Sequence, residues 1–235
     1  MNNRLLVQLK QRFTSEVLWH FVSRNKDHET SYNTLISILK EGFRLGKKNE
    51  EFKFYDFKGK KWVTLWGYPV NCLADIPLKD LHIHAERYGQ FAIGFHKESA
   101  INNHFNPVLY INQYSSVFHR FIELRNELEA YLDRTDKVMS DKLQELLLLL
   151  GSIAKAGDLK ANPVIDGNMD ELQANNFYYE REWRSIYPWN FDSGCVAAII
   201  IPDNVVDRFL NDREKIDLKI NASTAILPFS MVYRL

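Results

Sequence analysis

Val17-Leu18-Trp19-His20-Phe21-Val22 is apolar except for one histidine, and β-branched and aromatic side chains dominate it. Such side chains suit a pleated, buried surface, so the segment reads as a β-strand. Its surroundings set the fold class. Downstream, a polar loop over residues 23–30 leads to Ser31, read as the N-cap of a helix bearing Leu35, Ile36, Ile38 and Leu39 and closed by Gly42. Upstream, Leu5, Leu6, Leu9 and Phe13 recur at helical spacing. Residues 52–66 alternate aromatic and polar side chains around Lys58-Gly59-Lys60, which predicts a hairpin. Residues 70–73, 90–95 and 108–111 read as further strands. Asp75-Ile76-Pro77-Leu78 opens a helix with its proline in the first turn, and Asp75 reads as a turn or cap residue.

Two longer helices are expected next. Over residues 115–134, Phe118, Phe121, Ile122, Leu128 and Leu132 share one helical face. Residues 140–156 hold Leu143 and an unbroken leucine run from Leu146 to Leu150. Adjacent leucines cannot share one narrow stripe, so this helix is expected to be buried on most sides, in the domain's own core or against a second protein. Together the two predict an antiparallel pair inserted between sheet halves. Residues 157–176, rich in Asn, Asp and Gly, read as an irregular loop. Strands resume over residues 182–187 and 196–201, Pro202-Asp203 starts a helix reaching Leu210, and residues 229–233 look strand-like. Strands outnumber helices without regular alternation. This predicts an α+β fold with a mixed or antiparallel sheet, one domain over residues 1–235, and a helical insertion at about 115–156.

The chain has 235 residues, 46% of them hydrophobic, enough to bury a substantial core. Thirty basic residues balance thirty acidic ones, so no net field draws nucleic acid or anionic membrane. No aliphatic run approaches the roughly 20 residues of a membrane span. Two cysteines, Cys72 and Cys195, and an N-terminal apolar stretch too short for an export signal predict a reduced cytoplasmic protein.

Phosphate-cradling and dinucleotide glycine motifs do not occur, nor do Cys-x-x-Cys and His-Glu-x-x-His. His82 and His84 lie two apart on an expected helix and diverge, so no metal site is expected from them. Tyr178-Tyr179-Glu180-Arg181-Glu182-Trp183-Arg184-Ser185-Ile186 is more informative. Strand periodicity puts Glu180, Glu182 and Arg184 on one face, with Arg181 and Trp183 on the other. The plainer reading of this segment is an edge strand with solvated or paired charges.

Several blocks in a fixed order carry a resemblance. They are Leu18-Trp19-His20-Phe21, Tyr32-x-x-Leu35-x-x-Ile38-Leu39-x-x-Gly42 and Cys72-Leu73-Ala74-Asp75-Ile76-Pro77-Leu78. His84 to Tyr88-Gly89, Phe91-x-Ile93-Gly94-Phe95-x-Lys97, Asn106-Pro107-Val108-Leu109-Tyr110 and Glu180-Arg181-Glu182-Trp183-Arg184 follow. Over residues 16–201 the chain resembles the AbiGi family, a group associated with abortive phage infection and labelled as antitoxins. A second resemblance is to ADP-ribosyltransferase-like folds of the DarT type. It rests on the histidine-bearing first strand, Pro107-Val108-Leu109-Tyr110 and the Glu180-Arg181-Glu182 element. Residues 72–75 depart from that pattern, because they supply no serine.

The second resemblance implies a split sheet of ADP-ribosyltransferase-like type and NAD as a substrate, with no tightly bound cofactor. Glu182 would be the catalytic carboxylate, stabilising the oxocarbenium-like centre formed when the nicotinamide–ribose bond breaks. His20 would bind the adenine-side ribose, and Arg184 or Arg181 the pyrophosphate. Tyr110 or Trp183 would stack on nicotinamide, and Glu180 completes the Glu-x-Glu element. Two functions are thus expected for a phage-defence component. One is a transferase effector in which Glu182 and His20 converge in a cleft, with nucleic acid only as an acceptor. The other is a non-catalytic antitoxin or regulator bound to a partner toxin protein, with an exposed apolar patch and Glu182 paired to an arginine.

Overall fold

A computed structural model describes residues 15–22, 27–45, 50–56, 61–132, 137–157 and 178–232. The expected opening helix, the 58–60 turn and the 158–176 part of the loop lie outside the described residues. The chain begins with β1 (Val17–Phe21) and α1 (His28–Glu41). The hairpin β2 (Glu50–Asp56) and β3 (Lys61–Tyr68) follows, then β4 (Asn71–Ala74) and α2 (Leu81–Tyr88). After β5 (Ala92–His96) come α3 (Lys97–Asn102), the two-residue β6 (Asn106–Pro107) and β7 (Leu109–Asn112). The long helices are α4 (Ser116–Leu132) and α5 (Lys137–Ile153), and α5 runs directly into β8 (Ala154–Gly157). The remainder is β9 (Glu182–Ser185), β10 (Val196–Ile201), α6 (Val206–Lys215), β11 (Ala225–Pro228) and α7 (Phe229–Val232).

Seven strands form one mixed sheet in the order β11-β10-β5-β1-β4-β9-β6. Among the described strands of this sheet, only β10 and β11 pair in parallel. One face carries Leu18, Leu73, Ile93 and Phe95 against Tyr32, Leu35 and Leu39 of α1 and Phe209 of α6. The other face carries Trp19, Ala74, Ala92 and Ile200 against Leu81 and Ala85 of α2 and Phe229 and Val232 of α7. Alternating side chains along β1 therefore feed two cores, which makes a helix–sheet–helix sandwich. A third cluster, Phe52, Ile111, Phe118, Ala154 and Ala156, joins the β2–β3 hairpin to α4 and to the parallel pair β7–β8. The helical insertion thus leaves β7 and returns through β8, and α4 and α5 pack on each other.

Several expectations are corrected. The first helix starts a turn earlier than Ser31, because the Asp27 carboxylate accepts from the Thr30 amide at 2.7 Å. Ser31 is fully buried within it. Gly42 closes the helix at φ 84°, and a Cβ there would lie 2.6 Å from the Trp189 carbonyl oxygen. Asp75 caps no helix. Its buried carboxylate accepts from the Ser15 amide at 2.8 Å and from Lys97 at 2.7 Å. The chain end read as a strand is α7, because Phe229 and Val232, three apart, both turn into the second core. The leucine helix is not buried on most sides: Leu146 and Leu149 are 45% and 37% exposed, and its buried residues are Gly151 and Ser152. Finally, β9 is no sheet edge, since it lies between β4 and β6.

Candidate functional site

The polar constellation is built at the start of β9. Residues Tyr178–Glu180 form one 3-10 turn, and Arg181 then takes a left-handed conformation at φ 44°. A side chain with a Cβ adopts this region at some cost. The kink is held by the Asp75 amide, which donates to the Arg181 carbonyl at 3.0 Å. It brings Glu180 to the same side as Glu182 although the strand begins only at Glu182. Lys155 of β8 joins them, its Nζ 2.7 Å from Glu180 Oε2 and 3.0 Å from Glu182 Oε2.

Glu182 is engaged on both oxygens. Arg184 donates from Nε to Oε1 at 3.0 Å and from Nη2 to Oε2 at 3.1 Å, and its Nη1 donates to the Ser152 carbonyl at 3.1 Å. This planar fork-to-carboxylate geometry is a strong ion-pair arrangement. The Glu182 amide donates to the Tyr110 hydroxyl oxygen at 2.8 Å. Beside it, the Tyr88 hydroxyl donates to Glu180 Oε1, and Arg87 Nη1 lies 3.6 Å from the same oxygen. Glu180, Glu182 and Arg184 are 5%, 8% and 3% exposed, so little water reaches the cluster.

The electrostatics follow from these contacts. Burial works to raise the Glu182 carboxyl, but Lys155 and Arg184 together outweigh it and hold the group below the usual carboxylate range. Burial pushes the Tyr110 hydroxyl up. His84 of α2 stacks on Tyr88 at 4.3 Å and lies 4.8 Å from the Phe21 ring. Burial lowers it to about 4, and its Nδ1 has no hydrogen-bond partner among the described residues.

The register divides the candidate residues. Trp19 lies opposite Ala74, and Ala74 opposite Glu182, so these three share a face; Cys72 and Arg184 pair one step along it. His20 therefore points through the other face, where it meets Phe43 edge-on at 4.7 Å, and its Nδ1 is 2.9 Å from the Cys72 carbonyl oxygen. Trp183 also faces that side, with Lys97 Nζ 5.0 Å above its ring. Of the sequence candidates, Glu180, Glu182, Arg184 and Tyr110 come together, while His20 and Trp183 lie across the sheet. Lys155, Tyr88, Arg87 and His84 are members that sequence reasoning missed. Ala154-Lys155-Ala156, one cation between two small apolar residues, is the signal that marks Lys155.

Chemically, the arrangement ties β9 to β8, α5 and α2 through charge. Among the described residues no group of three or more His, Cys, Asp or Glu side chains is placed to hold a metal ion. Nor is any helix among them long and apolar enough to cross a membrane.

A family model described as "Putative abortive phage resistance protein AbiGi, antitoxin" matches residues 45–219. The chain belongs to the AbiGi family. An "Abortive phage resistance protein AbiGi" of Lactococcus lactis subsp. cremoris is 33% identical over 141 residues, covering 54% of this chain and 54% of the relative. The chain spans about half the length of that curated relative. No solved structure matches the chain. The AbiGi match takes in Tyr88, Tyr110, Lys155 and residues 180–184, and leaves out β1 with His20.

Proposed function

We propose that this AbiGi-family chain serves phage defence of the abortive-infection type by binding, as an antitoxin or regulator that contacts a partner toxin protein. The observation that carries this reading is the state of Glu182, which is buried and held on both oxygens by Arg184 and Lys155. A carboxylate in that state is a cross-link, and reaching a ribose hydroxyl would require breaking it. The antitoxin description of the family supports the same reading, as do the exposed Val138 and Leu146 on α5 of the helical insertion.

A second reading keeps a specific observation in its favour. Glu180, Glu182, Arg184 and Tyr110 share one cluster, which suits an ADP-ribosyltransferase-like effector with NAD as substrate, provided the network opens on binding. One experiment separates the two. The purified chain and its Glu182→Gln variant are incubated with labelled NAD and mixed cellular protein, DNA and RNA, with phage-infected extract included as a trigger. The binding reading expects no transferred label, together with a stable complex between the chain and a protein encoded beside it. Label transferred by the wild type and lost in the variant overturns it in favour of the transferase.

A further inference from the structure

The helix α4 carries Val117, Phe121, Leu124, Leu128 and Tyr131, spaced four, three, four and three residues apart. That is the spacing of a seven-residue repeat, which keeps an apolar seam facing another helix. Phe121 is used inside the molecule, its ring 5.7 Å from Phe52. Val117, Leu124 and Tyr131 are not: they are 63%, 52% and 55% exposed. Three apolar side chains one heptad apart, all more than half exposed, form an outer seam with no described neighbour covering it.

The seam reads nearly the same in both directions about Leu124. Val117 and Tyr131 stand seven residues to either side of it, and Phe121 and Leu128 three and four. Flanking it are Arg120 and Glu127, opposite charges placed on either side of the same centre and both exposed. Laid antiparallel on an identical helix, such a seam sets Val117 against the partner's Tyr131, small against large. It also sets Arg120 against the partner's Glu127, twice by symmetry. Charges flanking a helical seam set partner choice and orientation, and a two-fold contact uses one surface twice. The present partner of Arg120 is Glu123 on its own helix, at 2.6 Å. Exposed pairs of that kind are weak and readily exchanged.

We propose that α4 is a self-association surface, docking antiparallel on α4 of a second copy of this chain about a two-fold axis beside Leu124. This is independent of the antitoxin reading. The self-complementary order of apolar and charged residues is what selects a second copy over an unrelated helix.

The test is the molar mass of the full chain in solution, by light scattering and sedimentation equilibrium. The wild type is expected at twice its 27.6 kDa. Leu124→Glu sets two carboxylates across the axis and is expected to be monomeric, with an unchanged circular dichroism spectrum because Leu124 lies at the surface. Arg120→Glu and Glu127→Arg singly are expected to weaken the dimer, and the two together to restore it. Leu124→Cys is expected to give a disulfide-linked dimer on oxidation, and Leu146→Cys none. A monomeric wild type overturns the proposal. So does a folded Leu124→Glu that stays dimeric, or a double charge exchange that fails to restore what each single change removed.

Discussion

Glu182 and Arg184 sit two residues apart on one strand face, and the pair is nearly closed to water. Taking two charges out of water is costly, and their attraction offsets this only while both partners remain. Arg184→Ala removes the forked partner of Glu182 while leaving its carboxylate buried beside Lys155, and is expected to cost about 3–5 kcal/mol in urea unfolding. Changing both residues to leucine is expected to recover part of that loss, because no charge of the pair is then stranded. His84 supplies a pH dependence. Its ordinary value of 6.5 falls to about 4 in the fold, so between these limits the unfolded chain binds more protons than the folded one. Stability is full above about pH 6.5 and declines as pH falls toward 4, by at most about 3 kcal/mol. The Glu182 carboxyl, lowered in the fold, acts in the same sense further down: its contribution is present above its ordinary value and lost as pH falls through the folded one. In His84→Phe, which keeps the ring stacked between Phe21 and Tyr88, the decline between pH 6.5 and 4 is expected to flatten. Denaturant midpoints at pH 5 and 7.5 check this.

Among the elements, α1 shows how local chemistry sets boundaries. Asp27 accepts from both the amide and the hydroxyl of Thr30, and Asp27→Ala is expected to cost about 1 kcal/mol in thermal unfolding. Gly42→Ala is expected to cost more, since alanine at φ 84° and ψ −173° adds about 1–3 kcal/mol and its Cβ meets the Trp189 carbonyl oxygen. The leucine run of α5 teaches the reverse lesson. A run without period carries no information about which side is covered, and here the insertion stands on β3, β8 and β9 by part of its surface. Leu146→Gln is accordingly expected to change stability by no more than about 0.5 kcal/mol, measured by denaturant unfolding. The strand β8 escaped the sequence reading for a related reason: Ala154 and Ala156 alternate with Lys155 just where a helical pattern is ending, and four residues are too few for period alone to decide.

At the scale of the whole molecule, one ring couples the layers. Phe95 of β5 is fully buried, 5.3 Å from Phe43 and 4.9 Å from both Trp189 and Phe191. Phe95→Ala is expected to cost about 3–5 kcal/mol, seen as a shift of the urea midpoint. The sequence by itself determined the α+β class, the first strand, the two long helices and the shared face of Glu182 and Arg184, whereas Glu180 reaches that side through the kink at Arg181. The sequence did so because backbone periods of two and of 3.6 residues act within a few positions of each other. The tertiary structure alone decided that Lys155 and Tyr88 close on those glutamates and that His20 looks through the opposite face. The strand order β1-β4-β9 and the return of the insertion through β8 are set by packing among segments far apart in the chain. No local spacing encodes them, since the free energy that selects them belongs to the assembled cores.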